Sequence, residues 1–164
     1  LVGLRTVFKE NGTVTAANSS GISDGACMAW VGDQATVEQS SKEPLVEIMA
    51  TANVGLNPET MGLGPVFAIR KLLDMAGLSL DEIDLFEINE AFAVQVLACQ
   101  QKLGIDDAKL NIHGGAVALG HPLGMSGLRI AVTLAHSMNA QNAHYGIASL
   151  CVGHGQGVAM LLKR

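Results

Sequence analysis

Between Val66 and Ala76, apolar residues fall at Val66, Ile69, Leu72, Leu73 and Ala76, a spacing that lines one face of an α-helix. Pro65 suits the first turn and Gly77 the stop, so the pattern predicts a helix over Pro65–Ala76. The same period joins Phe92, Val96, Cys99 and Leu103 into one stripe with Gly104 beyond it, predicting a second helix over Ala91–Leu103. Ser126–Asn139 is almost uncharged and reads as a third, buried on most sides. Shorter apolar runs at Leu45–Val54, Ile83–Ile88, Tyr145–Cys151 and Gly157–Leu162 predict strands. Ser79-Leu-Asp-Glu82 has the form of a capping box for a short helix ahead of the second run. From residue 45 the order is βαβα(β)αββ, where the bracketed strand lies between the second and third main helices. Such alternation predicts an α/β fold, a mixed five-stranded sheet with helices packed on it. Upstream, Leu1–Phe8 and Val14–Ala17 flank the turn signal Asn11-Gly12 and predict a hairpin. Ala26–Val31 is strand-like, and Gln34–Pro44 is polar enough for a linker.

Composition narrows the function classes. The 164 residues are 49% hydrophobic and 15% charged, enough for one well-buried core. A net charge of −5, 4% aromatic residues and no basic run beyond the pairs Arg70-Lys71 and Lys163-Arg164 argue against a nucleic-acid surface. Three scattered cysteines, Cys27, Cys99 and Cys151, form no disulfide framework and point to a reducing compartment. The cytoplasm is the expected location, or a mitochondrion or peroxisome for a eukaryotic source. The longest charge-free stretch, Ile130–Leu162, is broken by Gly, Asn, Gln and His, so no membrane span is expected. The same stretch places His136, His144, Cys151 and His154 where burial is expected. No signal peptide is visible at Leu1, although an internal piece of a longer chain would not show one.

Three glycine-framed or helix-opening polar sites interrupt the apolar sequence: Asn89-Glu90-Ala91-Phe92, Gly120-His121-Pro122 and Cys151-Val152-Gly153. The predicted strand Ile83–Ile88 delivers Asn89 at its carboxyl end, where α/β sites form. Asn89 either caps the following helix or presents its amide to a ligand. His121, between glycine and proline, belongs to a turn, and its near-neutral pKa suits proton transfer. Cys151 is either a small buried hydrophobe or, beside Gly153-His-Gly-Gln-Gly157, a thiol that exchanges protons next to exposed backbone N–H groups. That glycine string lacks the spacing of a dinucleotide site. Cys151-x-x-His154 together with His121 also admits a metal-dependent hydrolase, though no further ligand spacing supports one.

Five segments carry a resemblance to a known family. Asn111-Ile-His-Gly-Gly-Ala-Val-Ala-Leu-Gly-His121-Pro-Leu-Gly-Met-Ser-Gly127 and Cys151-Val-Gly-His-Gly-Gln-Gly157 closely resemble the C-terminal signatures of the thiolases. Asn89-Glu-Ala-Phe92, Gly12–Gly25 and Met61-Gly-Leu-Gly-Pro65 look like further family segments in the same order. The resemblance implies a thiolase-like layered fold, with residues 1–40 ending the N-terminal core half and 41–164 forming the C-terminal domain. Thiolases are longer, and their nucleophilic cysteine lies in an N-terminal half without a counterpart here, so this chain is expected to be a C-terminal piece. The implied function is acyl transfer between coenzyme A thioesters, making or breaking a β-ketoacyl thioester. Cys151 is then the acid/base at the carbon α to the thioester. His121 activates the nucleophile and, with an Asn89-held water, forms one oxyanion hole, while the Gly153 N–H serves a second. Met61 and Phe92 fall on positions that line the acyl pocket, and Ser20 on one that meets the pantetheine arm. Helical spacing alone makes Met61 and Phe92 equally plausible as core. The implied partners are acyl-CoA, coenzyme A, the missing N-terminal half and further copies in a homodimer or homotetramer, with no resident cofactor and no metal. His113 stands where thiolases commonly have asparagine, and His154 where they commonly have a small residue. The competing expectation is a non-catalytic thiolase-like subunit that binds or scaffolds.

Overall fold

The computed structural model describes residues 3–164. After an extended N-terminal segment come α1 (Gln34–Gln39), β1 (Glu47–Gly55), a 3-10 helix at Pro58–Leu63 and α2 (Gly64–Ala76). These are followed by a 3-10 turn at Leu80–Glu82, β2 (Leu85–Ile88), α3 (Ala93–Leu103), the one-turn α4 (Ala116–Leu119), α5 (Ser126–Gln141), β3 (Tyr145–Val152) and β4 (Gln156–Lys163). The strands order as β1-β4-β3-β2, with β2 and β3 parallel and the other neighbours antiparallel.

Local chemistry explains the element ends. α2 and α3 both stop at left-handed glycines, Gly77 and Gly104. The Ser79–Glu82 capping box is formed, with Glu82 Oε2 accepting from both the N–H and the hydroxyl of Ser79 at 2.8 Å. Alternation along the strands then divides the core. Phe86, Ile88, Ile147, Ala159 and Leu161 face α2 and α3, whereas Leu85, Ala148 and Leu162 face Ile130, Leu134 and Met138 of α5. β2 is buried throughout instead of alternating, because it is covered on both faces. Burying side chains such as Phe86 and Ile147 contributes about 1.5–3 kcal/mol each.

Among the described residues the sheet has four strands, not five. At the fifth position the backbone makes a single parallel bridge, Leu110 to Phe86, and then turns away through Asn111 at φ 46°. The Asn111 side chain continues the ladder: its Oδ1 accepts from Ile88 N–H at 2.8 Å, and its Nδ2 donates to Ile88 O at 2.9 Å. A side-chain amide thus does the work of one more strand residue and frees the backbone to loop toward His121.

The N-terminal segment departs most from expectation. The Asn11 turn forms, with Val7 N–H bonded to Val14 O at 3.0 Å and Thr6 bridged to Thr15, but among the described residues no strands extend from it. An isolated two-stranded ribbon is marginal in water. The part of that hairpin on residues 1–2 lies outside the described residues. Ala26–Val31 is extended and unpaired, leaving Met28 93% and Trp30 64% exposed. The expected linker carries α1, whose N-terminus is capped by Asp33 accepting from Thr36 N–H at 2.8 Å. His136, His144 and His154 are exposed, on the outer side of α5 and at loop ends, and only Cys151 of the charge-free stretch's four candidates is buried. Among the described residues no helix is long and apolar enough to cross a membrane.

Candidate active site

Asn89 lies one residue past β2, fully buried, and its N–H bonds Ser149 O of β3 at 2.9 Å. It does not cap a helix. α3 begins only at Ala93, with Phe92 in the capping position and no side-chain cap. The Asn89 amide is therefore free for other partners: Nδ2 sits 3.4 Å from His121 Nε2, and Oδ1 accepts from Arg129 Nη2 at 3.3 Å.

His121 is held from three sides. Its N–H donates to Gly21 O at 2.8 Å, and Ile22 bridges it in parallel. At Gly120, φ 92°, a β-carbon would collide with the Ser23 hydroxyl, so the approach of this segment requires glycine. On the far side, Glu90 Oε2 accepts from Val117 N–H at 2.9 Å in the first turn of α4, and Glu90 Oε1 from Asn111 Nδ2 at 3.3 Å. Beneath, His121 Nδ1 is 2.6 Å from Ser126 Oγ, and the Ser126 hydroxyl donates to Pro122 O at 2.9 Å. Because the serine proton is committed to Pro122, Nδ1 must be the donor to Ser126, which leaves Nε2 as a bare base facing the Asn89 amide. Partial burial, followed by the positive charge of Arg129, lowers the His121 pKa from its ordinary value and favours this neutral form.

Ser20 ties the two motif loops together, since both its N–H and its hydroxyl donate to Ala91 O at 3.1 Å while Ser19 bridges Phe92. Phe92 is half-buried, with its ring edge-on to Phe8 at 5.6 Å between centroids. Met61 is elsewhere, on the 3-10 helix that packs against α3, where the neighbouring Gly62 O accepts from the Cys99 thiol at 3.3 Å. The structure thus brings Ser20, Asn89, Phe92 and His121 into one region.

Cys151 ends β3 at the same sheet edge as Asn89, in parallel register two residues past the Ile88–Ser149 pair. By strand alternation its side chain belongs to the row of Ile147 and Ser149, where its charge would act on Cys99 of α3, whereas Asn89 belongs to the row of Leu85 and Glu87 and meets Arg129 of α5. Among the described residues no hydrogen bond joins the thiol to Asn89 or His121. Burial pushes the Cys151 thiol above its ordinary pKa and Cys99 up to about 11, so both are protonated at neutral pH. The glycines beyond Cys151 divide by role. A β-carbon on Gly155, φ 85°, would strike Leu56 O, and one on Gly157 would strike the Gly64 backbone, so these two permit close packing against residues 56–64. Gly153 alone opens onto free space. His154 is exposed beside it with φ 65°. Among the described residues no cluster of three or more His, Cys, Asp or Glu is arranged to hold a metal ion.

The sequence reading assigns no role to Glu87, Glu90, Ser126 or Arg129. Two of these had a signal: Arg129 is the one charge within Ser126–Asn139, and Glu87 is a carboxyl inside a buried strand. Glu87 is 2% exposed with no partner for Oε1, and burial raises its pKa to about 7 despite the nearby Arg129 charge.

Residues 42–164 match the thiolase C-terminal domain and residues 1–34 the thiolase N-terminal domain. Acetyl-CoA acetyltransferase of Escherichia coli (strain K12) is 49% identical over 164 residues, which is 100% of this chain and 42% of that protein. The solved structure of Bacillus anthracis acetyl-CoA acetyltransferase superposes with a TM-score of 0.92 at 42% identity, and covers 99% of this chain and 41% of that one. Human mitochondrial 3-ketoacyl-CoA thiolase in complex with CoA gives 0.91 at 43% identity, with the same coverage of 99% and 41%. The chain spans about two fifths of the length of these relatives. It belongs to the thiolase family.

Proposed function

We propose that this member of the thiolase family supplies the histidine, asparagine and acid/base cysteine of an acyl-transfer site whose substrate is a β-ketoacyl coenzyme A thioester. The observation that carries the reading is the bare Nε2 of His121 facing Asn89 Nδ2 at 3.4 Å, its tautomer set by Ser126. A neutral imidazole with one free nitrogen can take a thiol proton, and once charged it becomes a donor to a thioester oxygen. The acyl-accepting thiol comes from the N-terminal thiolase half, since Cys27 and Cys99 lie in contexts unlike the family nucleophile.

In the cleavage direction that thiol gives its proton to His121, and the thiolate adds to the β-keto carbon. The carbon–carbon bond then breaks, and the departing enolate takes its proton from Cys151. Coenzyme A then gives its thiol proton to the Cys151 thiolate and attacks the acyl-cysteine, which releases the second acyl thioester, and the freed cysteine thiolate recovers its proton from His121. Cys151, kept protonated by burial, is in the form this step needs. Gly153 contributes an N–H to the thioester oxygen, Ser20 and Phe92 border the pantetheine arm and the acyl group from the His121 side, and Met61 reaches the acyl group only from the Cys99 side. No resident cofactor is required. The exposed apolar residues Ile22, Met28, Trp30 and Val31 suit a surface covered by the other thiolase half within a homodimer or homotetramer. A cytoplasmic location fits the free cysteines, and a mitochondrial one fits the human relative.

The test is coenzyme A-dependent cleavage of an acetoacetyl thioester by this chain combined with a thiolase N-terminal half, alongside trapping of the acyl-enzyme. Cys151→Ala is expected to lower cleavage by about 10²–10⁴-fold, while acylation of the nucleophile by acetyl-CoA, which precedes the Cys151 step in the synthetic direction, persists in part. Near-normal cleavage by that variant overturns the role of Cys151, and robust turnover by the unaided chain overturns the division of labour.

A further inference from the structure

Arg129 lies on α5, 40 positions from Asn89 in sequence, yet its Nη2 reaches Asn89 Oδ1 at 3.3 Å. Its Nε and Nη1 are buried with no partner among the described residues, and its charge acts on the buried carboxyl of Glu87. A cation is costly in such a place unless it is used.

An asparagine amide is nearly symmetric in shape, and only its partners decide which end is oxygen. A guanidinium has donors alone, so it can face only the oxygen of Asn89. That choice turns the Asn89 N–H₂ toward His121, where it meets a bare Nε2, the nitrogen that the Ser126 contact independently leaves unprotonated. With the amide reversed, donor would face donor at Arg129 and acceptor would face acceptor at His121.

We infer that Arg129 is a positioning residue for the site: it orients the Asn89 amide and, through it, the proton arrangement of His121. This rests on the reading of His121 as the proton-transfer group given above. Of the charged and titratable groups on the elements packed about that histidine, Arg129 of α5 acts on it directly, Glu87 and Glu90 stand at the end of β2, and Cys151 of β3 lies in the opposite row, toward Cys99. The strap Ser19–Ser23 and α4 contribute none.

The experiment is histidine and asparagine side-chain NMR on the intact 164-residue chain. In the unaltered chain His121 is expected to titrate below the ordinary imidazole value as the Nδ1–H tautomer, with one sharp Asn89 amide pair. In Arg129→Gln the His121 midpoint rises, as expected when a like charge is removed. The Asn89 pair shifts or broadens, and His113, His136, His144 and His154 stay in place. Arg129→Lys keeps the charge but loses the fork, so the midpoint holds while the Asn89 pair still shifts. An unmoved His121 and Asn89 in Arg129→Gln overturns the inference, as does a joint shift of all five histidines, the mark of general loosening. If the glutamine variant does not fold, the lysine variant decides, and an unmoved Asn89 pair then overturns it. In the combined enzyme, Arg129→Lys is expected to lower kcat about tenfold with KM unchanged. Absence of turnover by the unaltered combination overturns the proposed function while leaving the NMR result to judge Arg129.

Discussion

The loop Gly120-His121-Pro122 and the turn Gly153-His154-Gly155 have the same composition signature, a histidine framed by small or rigid residues; the first joins α4 to α5, and the second joins β3 to β4. In the first, bonds from Gly21, Ser126 and Asn89 converge on the histidine, and Glu90 and Asn111 hold the loop from behind. In the second, the histidine is exposed in a left-handed backbone conformation, and the glycine after it exists to let the turn press against Leu56 and Pro58. Glycine next to a functional-looking residue therefore has two meanings. It can let a side chain be gripped, or let a backbone pack, and only the surrounding atoms distinguish them.

Substitutions in the two places separate these meanings. The largest effect is expected from His121→Ala, which removes the proton acceptor and should lower acetoacetyl thioester cleavage by about 10²–10⁴-fold in the combined enzyme. Its thermal unfolding should stay close to that of the unaltered chain, because the loop is anchored mainly through backbone groups and Glu90. Unfolding at a much lower temperature would mean that the histidine is structural and would erase the contrast.

Gly155→Ala should do the reverse. A β-carbon at φ 85° that meets the Leu56 carbonyl combines left-handed strain with overpacking, together about 3 kcal/mol, read from urea unfolding. Gly153→Ala, in open space, should change stability by less than about 1 kcal/mol. Equal losses at both positions would show that the turn is not pinned where the structure puts it.

The third effect lies beneath the first loop. Glu87 has a carboxyl pKa raised from 4.5 to about 7, so the folded chain holds a proton there that the unfolded chain releases. Its stabilising contribution is therefore full below pH 4.5 and fades as the pH rises toward and past 7, by roughly 3 kcal/mol in all. Glu87→Gln should flatten that part of the stability curve, measured by unfolding at several pH values. A curve with the same slope in the variant would assign the pH dependence elsewhere.

Much of this was legible in the residue order, for local reasons. A 3.6-residue period, a glycine stop or a capping box is a property of consecutive residues, so α2, α3, α5 and the ends of β2 and β3 fall close to where the pattern puts them. The motifs around Asn89, His121 and Cys151 stand out for the same reason: polar residues in apolar surroundings are visible without coordinates. Period alone did not reveal that the Asn111 side chain would replace a strand, because the amide competes with the backbone only once Phe86 and Ile88 lie beside it. Nor did it separate Gly155 and Gly157 from Gly153, since a missing side chain leaves no mark of what needs the space. Ala26–Val31 has strand composition but found no edge to pair with, and pairing, not composition, makes a strand.

The sequence by itself determined the family, the layered α/β class and the chemical types at the site, because each is written in neighbouring residues. Only the tertiary structure decided that Asn89 serves His121 instead of capping α3, that Ser126 sets the histidine's tautomer, and that Arg129 reaches across from another helix to orient the amide. Those are contacts between segments far apart in the chain, and they exist only where packing against a shared sheet brings hydrogen-bond donors and acceptors within about 3 Å of one another.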